Sequence, residues 1–358
     1  MKILHVIAST GTGGAERHVL DLCLSLRLAG VATEVAMPVK GELGSQLERH
    51  GIACHEFGQG NRFSLLVLYR LRRIVHQVRP DIVHAHMPRS ASMARWSKGK
   101  VPCVATAHNM VRHGSPFRHC DRVICVSDMV CRSLNRHGYP LDRTTVIHNA
   151  VDIARFSGHD RERIRAQMGW QEHIILLCVA RLVPAKGQSL VIAALARLSR
   201  TDVHLVLAGA GPDEAALRKQ VADMGLAERV TFAGNRQDIP QLLAASDIYL
   251  QPSLKEGFGI AFLEAMASGI PGIGTRTGAI PEMVHSGRNG LLVDAGDVDA
   301  LAAAMQLLCD DPALRHQLGE QAARDVRSRF SLQRQAQDTL TVYQQMLGQH
   351  GTSAAHIR

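Results

Sequence analysis

Aromatic residues make up only 4% of the 358-residue chain, so stacking platforms for single-stranded nucleic acid are scarce. Long apolar runs are missing too, and nothing approaches the roughly 18–20 residues that cross a bilayer. None of the eight cysteines (Cys23, Cys54, Cys103, Cys120, Cys125, Cys131, Cys178 and Cys309) forms a C-x-x-C pair. Most sit in apolar patterns, which favours reduced, buried thiols. A complete dinucleotide fingerprint is also lacking. Gly11 and Gly13, and later Gly209 and Gly211, begin two G-x-G-x-x-G stretches, but Glu16 and Glu214 stand where the third glycine is required. An NAD-dependent enzyme is therefore disfavoured. The first ten residues have neither the apolar length nor the cleavage site of a signal peptide, so they read as a strand and imply a cytoplasmic protein.

What is present is a chain with 46% hydrophobic residues, long enough for two domains with separate cores. Its net charge of +9 is unevenly placed. Residues 1–150 hold 20 Lys and Arg against 10 Asp and Glu, whereas the remainder holds 21 against 22. A basic half attracts nucleic acid, an anionic membrane face or a phosphorylated substrate. Two segments concentrate the charge: 64–79, with Arg70, Arg72, Arg73 and Arg79 beside leucines, and 89–100, with Arg95, Trp96, Lys98 and Lys100. Cations beside an interfacial aromatic predict peripheral attachment to an anionic membrane surface.

Short Val/Ile/Leu runs alternate with helical segments, the pattern of a parallel sheet covered on both faces. Strands are expected at 2–7, 33–36, 81–85, 103–107, 122–126 and 145–147. The series restarts at 174–179 and continues at 204–207, 230–232, 247–250, 270–273 and 291–293. The fold class is α/β, with two parallel-sheet Rossmann-like domains, 1–157 and 172–330, facing a cleft. The polar stretch 155–171 reads as the linker, 332–347 as a final helix, and 348–358 as a disordered tail. Ligands in such sheets bind beyond the strand C-termini.

Four stretches carry chemistry. Gly13, Gly14 and Glu16 follow the first strand and open a helix, a place where backbone amides meet phosphates or hydroxyls. Arg181 and Lys186 follow the strand 174–179; one offers a planar fork and the other a point charge to phosphate oxygens. Glu256 lies in a turn through Gly257 and Gly259, and Glu264 in an apolar helix, where a carboxylate calls for a partner such as sugar hydroxyls. His108 ends a central strand and points to the ligand side. His84 and His86 share a strand face, but no third ligand stands at a recognisable spacing, so no metal site is expected. Asp297-Val298-Asp299 resembles a manganese-binding D-x-D, yet it precedes a helix, where Asp297 is an ordinary N-cap.

Together these residues resemble the family 4 retaining glycosyltransferases of GT-B architecture. Glu256 and Glu264 have the family's E-x7-E spacing. Gly13-Gly14-Ala15-Glu16 is similar to its N-terminal Gly-Gly turn, Arg181 and Lys186-Gly187 to its diphosphate pair, and Gly278-Ala279-Ile280-Pro281-Glu282 to a further motif. Asn149-Ala150-Val151-Asp152 is similar to its N-G-V-D, with Ala150 in place of glycine.

The resemblance implies that Glu264 holds the ribose and Glu256 the donor sugar. It implies that the amides of Gly257, Phe258, Gly259 and Ile260, with Arg181 and Lys186, bind the diphosphate. Gly14 would approach the phosphates or acceptor, Gly13 and Glu16 the acceptor side, and Gly234 and Asn235 the base. His108 would line the transferred sugar. The final helix would cross back onto the first domain. A nucleotide sugar, UDP-linked by default, would serve as co-substrate without a cofactor or an essential metal. The acceptor would be a glycan or lipid-linked intermediate of lipopolysaccharide, O-antigen or exopolysaccharide. A sugar-nucleotide epimerase is the first alternative, but it would lack the E-x7-E pair. A basic nucleic-acid binder is the second, and the few aromatics oppose it.

Overall fold

The structure, a computed structural model, describes residues 1–9, 11, 13–60, 64–111 and 115–355. Thr12 of the expected turn 11–14 and residues 356–358 of the expected tail lie outside them. The chain divides into two compact units, Met1–Ala150 with Leu332–Arg358, and Val151–Ser331.

The first unit is built on seven parallel strands: β1 (Lys2–Ile7), β2 (Ala32–Met37), β3 (Cys54–Glu56), β4 (Ile82–His86), β5 (Cys103–Ala107), β6 (Arg122–Cys125) and β7 (Thr144–Val146). Their order is β3-β2-β1-β4-β5-β6-β7. Strands buried on both faces read as continuous apolar runs, which is why β1, β4 and β5 stand out in the sequence. On one face, Ile3, Ile82 and Val104 pack with Leu22 and Leu26 of the helix Gly14–Leu28 and with Val342, Tyr343 and Met346 of the last helix. The last helix therefore belongs to the first unit, as expected, but it runs from Leu332 to Ala355. The tail expected to be disordered from Gly348 thus extends the helix to Ala355, although Gly348 and Gly351 each cost about 1 kcal/mol in a helix interior.

The second unit has six parallel strands, β8 (Ile174–Val179), β9 (Val203–Ala208), β10 (Val230–Gly234), β11 (Ile248–Gln251), β12 (Gly272–Thr275) and β13 (Leu291–Val293), in the order β10-β9-β8-β11-β12-β13. Both sheets follow the Rossmann order.

The expected linker 155–171 is corrected. The units divide after Ala150, and this segment packs into the second one, with Phe156, Ile164 and Trp170 in its core. Arg161 and Arg165 of the helix Arg161–Met168 hold the Asp247 carboxylate at 2.5 and 3.1 Å, and that carboxylate also accepts the Ile175 N–H at 2.7 Å. The polar residues that suggested a linker are anchors. Of the eight cysteines, seven are buried and Cys54 is partly buried, all as free thiols. Among the described residues, no helix is long and apolar enough to cross a membrane.

Candidate active site

In the second unit the strand order reverses between β8 and β11, the place where open parallel sheets bind ligands. The loop after β8 carries Arg181, which is exposed, and a single turn Pro184–Lys186. The loop after β11 carries Glu256. Lys186 Nζ donates to Glu256 Oε2 at 2.7 Å. Gln251 Nε2 and Ser253 Oγ donate to the same oxygen at 2.7 and 3.1 Å. Behind them, the buried Tyr249 hydroxyl donates to Gln251 Oε1 at 3.1 Å, and Thr275 Oγ1 donates to the Ser253 carbonyl at 2.6 Å. Burial pushes the Tyr249 hydroxyl well above its usual pKa, and Cys178, Glu264 and Glu256 add to the shift. Both carboxylates of the E-x7-E pair thus lie within electrostatic reach of one core tyrosine.

Backbone contacts fix this arrangement. Gly187 has φ +70, and a Cβ there would stand 2.1 Å from the Pro252 carbonyl oxygen. Gly278 has φ +59 and abuts the Glu256 and Gly257 carbonyls, and the Ala279 N–H donates to Gly257 O at 2.9 Å. Only glycine lets three loops close on Glu256 this tightly.

The expected diphosphate amides divide. The Gly257 N–H donates to Glu256 Oε1 at 2.9 Å. Phe258 is a core residue, edge-on to Phe330 with ring centroids 6.5 Å apart. Gly259 caps the helix Ile260–Ala267, which carries the partly buried Glu264. Gly234 ends β10 and Asn235 follows it, and the Gly234 carbonyl accepts the Gly209 N–H at 2.8 Å. Asp297 caps the helix Val298–Asp310 by accepting from the Ala300 N–H at 2.9 Å, and Asp299 pairs with Arg197. The D-x-D is a helix cap.

In the first unit, Gly13 and Gly14 are exposed at the start of the helix Gly14–Leu28. Glu16, expected on the acceptor side, reaches back to the Gly13 N–H at 3.0 Å and accepts from the Ser9 hydroxyl. It caps its own helix. Beside it, where β1 and β4 end, lies a cavity of about 700 Å³ lined by Ala8, Ser9, Met87 and Arg89 among others. Met87 has φ +72, a conformation costly for a side-chain-bearing residue.

The fold adds histidines that no single segment of sequence brings together. His84 and His86 do have company, because β1 supplies His5, the first helix His18 and the end of β5 His108. His5 Nδ1 and His86 Nε2 are 3.0 Å apart, and the His18 and His108 ring centroids 4.7 Å. Burial lowers the pKa of His5 to about 3 and that of His18 to about 4, the latter against a hydrogen bond to Asn149. Burial, then neighbouring histidines, holds His84, His86 and His108 well below the ordinary value. Burial thus favours the neutral form of all five rings.

Residues 160–325 match the family model described as glycosyl transferases group 1, and residues 12–155 the one described as Glycosyltransferase Family 4. The chain belongs to glycosyltransferase family 4. This family member is 29% identical to an N-acetyl-alpha-D-glucosaminyl L-malate synthase of Bacillus anthracis, over 80% of each chain. It is 28% identical to the lipopolysaccharide core biosynthesis glycosyltransferase LpsE of Rhizobium meliloti, over 89% of this chain and 92% of that one. The crystal structure of Anabaena Alr3699/HepE in complex with UDP superposes with a TM-score of 0.88 at 26% identity, over 96% of this chain and all of that one. The GT-B fold class follows.

Around the family motifs, the sequence reading missed Tyr249, Gln251 and Ser253. Their signal was present: polar atoms on or just past a strand that is otherwise apolar need partners.

Proposed function

We propose that this chain is a retaining hexosyltransferase that takes its sugar from a nucleoside-diphosphate donor, with a UDP-sugar favoured. The single observation that carries this is the Lys186–Glu256 pair at the β8/β11 reversal, with Glu264 in the second turn of the helix that follows. Alr3699/HepE, 26% identical, has been crystallised with UDP-glucose, which supports the choice of UDP. Glu264 holds the ribose hydroxyls and Glu256 the hydroxyls of the donor sugar. Arg181, Lys186 and the amides of Phe258, Gly259 and Ile260 take the diphosphate, and the base lies against Gly234 and Asn235. Cleavage of the glycosyl–phosphate bond leaves negative charge on the diphosphate, which fixed cations and a helix N-terminus stabilise without an essential metal or cofactor. The acceptor attacks from the leaving-group face, and a phosphate oxygen takes its proton, so the anomeric configuration is retained. His108 lines the transferred sugar.

The acceptor is a glycan or a lipid-linked intermediate of cell-surface polysaccharide. In support, LpsE, named for lipopolysaccharide core biosynthesis, aligns over most of both chains, and the cavity by Ser9, Met87 and Arg89 has room for a saccharide unit. The test is direct. Thermal shift with UDP-, GDP- and ADP-sugars identifies the donor, and NMR of the glycoside made from it reads the anomeric configuration. Stabilisation by no nucleotide sugar, or an inverted product, overturns the assignment.

A peripheral position on the cytoplasmic membrane face is part of the same reading. The helix Leu65–Val78 leaves Leu65, Leu66 and Tyr69 exposed at 83%, 57% and 61%, although Val67, Leu71 and Ile74 fill the core. The next helix, Met87–Ser97, leaves Trp96 exposed with Arg95 over its ring at 4.6 Å. Near their ends a cavity of about 380 Å³ is lined by Arg72, His76, Arg79, Lys98 and Lys100, a cradle for anionic headgroups.

A further inference from the structure

The face of the first sheet that carries β1 and β4 is unusual in burying imidazoles where apolar side chains would pack. Residues i and i+2 of a strand share a face, so His84 and His86 point the same way, and parallel pairing sets His5 opposite His84. The helix Gly14–Leu28 lowers His18 onto this face, and His108 follows β5.

The hydrogen bonds of the five rings are not equally complete. His84 is satisfied at both nitrogens, Nδ1 with the Tyr343 hydroxyl at 2.6 Å and Nε2 with Thr106 Oγ1 at 2.7 Å. His5 Nε2, His18 Nε2, His86 Nδ1 and His108 Nε2 are buried atoms without a hydrogen-bond partner among the described residues. An unpartnered buried nitrogen costs about 1–3 kcal/mol, and four on neighbouring rings call for an explanation. One ring nitrogen from each of His18, His86 and His108 lies within 4.8 Å of the others.

Three imidazole nitrogens at about 2.05 Å from a tetrahedral ion stand about 3.3 Å from one another, so a closure of up to about 1.5 Å per pair completes the ligand set. One tautomer assignment agrees with it: with the proton shared with His5 Nδ1 placed on His86 Nε2, His86 Nδ1 is left as an acceptor, and Asn149 bonds the His18 ring, which leaves Nε2. A ligating histidine typically gives its other N–H to such a partner.

We propose that His18, His86 and His108 form a binding site for a late divalent transition ion of the zinc and cobalt class, with His5 orienting His86 and one coordination position open. Neutral nitrogen donors suit zinc, cobalt, nickel and copper, whereas magnesium and manganese demand oxygen. The site is therefore distinct in chemistry from a metal that would neutralise the donor diphosphate. Its consequence for turnover rests on the proposed sugar contact of His108. An ion held by His108 Nε2 withdraws that nitrogen from the sugar, so zinc acts as an inhibitor and not as a cofactor.

The experiment uses the full chain, freed of metal with EDTA and dialysed, and titrated with Co²⁺ without substrate. One equivalent with the intense visible absorption of tetrahedral cobalt is expected. His18→Asn and His108→Asn each abolish that band, His5→Phe weakens binding about 10- to 100-fold, and His137→Asn, an exposed control, changes nothing. Circular dichroism confirms that each variant is folded. No tetrahedral band in the unaltered protein, or one that survives in folded His18→Asn and His108→Asn, overturns the site. With a working transfer assay, Zn²⁺ lowers turnover at least tenfold, EDTA restores it, and His18→Asn requires at least tenfold more Zn²⁺. Cobalt binding without any sugar transfer would leave the site standing and remove the proposed function. Transfer without cobalt binding would do the reverse.

Discussion

Lys186 Nζ stands 2.7 Å from Glu256 Oε2, and the two residues arrive on loops that follow the adjacent strands β8 and β11. The Glu256 side chain is 9% exposed and that of Lys186 23%, so the pair is screened only in part by solvent. Removing the cation alone leaves a carboxylate with fewer donors, whereas removing both charges does not. Lys186→Met should therefore destabilise the second unit by about 1.5–3 kcal/mol, and Lys186→Met with Glu256→Gln by less than the sum of the single changes. Urea unfolding of the three variants measures the coupling. Strict additivity would show that the two charges do not support each other.

Binding and chemistry separate along the E-x7-E pair. Glu264→Ala should weaken free UDP by about tenfold or more, because a charge-assisted hydrogen bond to ribose contributes roughly 1.5–3 kcal/mol. Glu256→Ala should leave UDP affinity within about threefold of the original and abolish transfer, since its partner is the sugar. His108→Ala should likewise lose turnover more than nucleotide affinity. Calorimetry with UDP, paired with a transfer assay, distinguishes these patterns. Normal UDP binding by Glu264→Ala would put the ribose elsewhere.

The diphosphate should need no divalent metal. Arg181 and Lys186 follow β8, the helix Ile260–Ala267 opens behind β11, and the one D-x-D of the chain is occupied as a helix cap and a salt bridge. Transfer in excess EDTA should match that without it. Complete loss, restored by magnesium or manganese, contradicts this.

Local signals carried the sequence reading a long way. The E-x7-E spacing, the cations after β8 and the glycine turns are all contiguous motifs, and buried parallel strands announce themselves by apolar runs. What was hidden depends on pairs distant in sequence. The unit boundary falls at Ala150 because Val151 bridges to Ser331 and its N–H donates to the Phe330 carbonyl at 3.0 Å. Strand β3 is three residues long and mostly polar, and the helix Met87–Ser97 has Pro88 in its first turn and contains serines, so neither has a clear period. The histidine cluster draws on β1, β4, β5 and one helix, and no spacing within a single segment encodes it.

Gly187 is a tight point of the site. Its φ of +70 and the 2.1 Å approach of a Cβ to the Pro252 carbonyl mean that even alanine must move the loop after β11. Gly187→Ala should cost about 1–3 kcal/mol and raise KM for the donor, because Lys186 and Glu256 are displaced together. Gly225→Ala, at a positive φ with open space around it, is the control for backbone strain alone. Equal effects at both positions would exclude the steric argument.

The basic surplus of residues 1–150 leads to the last prediction. Sheet-covering helices normally turn their large apolar residues inward, and Leu65–Val78 does so through Val67, Leu71, Ile74, Val75 and Val78. The outward Leu65, Leu66 and Tyr69 exceed what a solvated helix needs, and Trp96 on the following helix repeats the feature. The cations do not contribute equally. Lys98 Nζ is held by Asp121 at 2.8 Å, so its charge is partly neutralised, whereas Arg72, Arg79 and Lys100 line the adjoining cavity. Each unneutralised cation near an anionic surface adds about 1 kcal/mol, and three of them with interfacial aromatics support reversible attachment. Sedimentation with phosphatidylglycerol vesicles should therefore pull the protein down at low salt and release it at high salt. Changing Arg72, Arg79 and Lys100 to Glu should abolish sedimentation, Leu66→Ser with Trp96→Ser should weaken it, and Lys98→Glu should matter least. Equal recovery in the supernatant with and without vesicles would assign the basic charge to a soluble anionic acceptor.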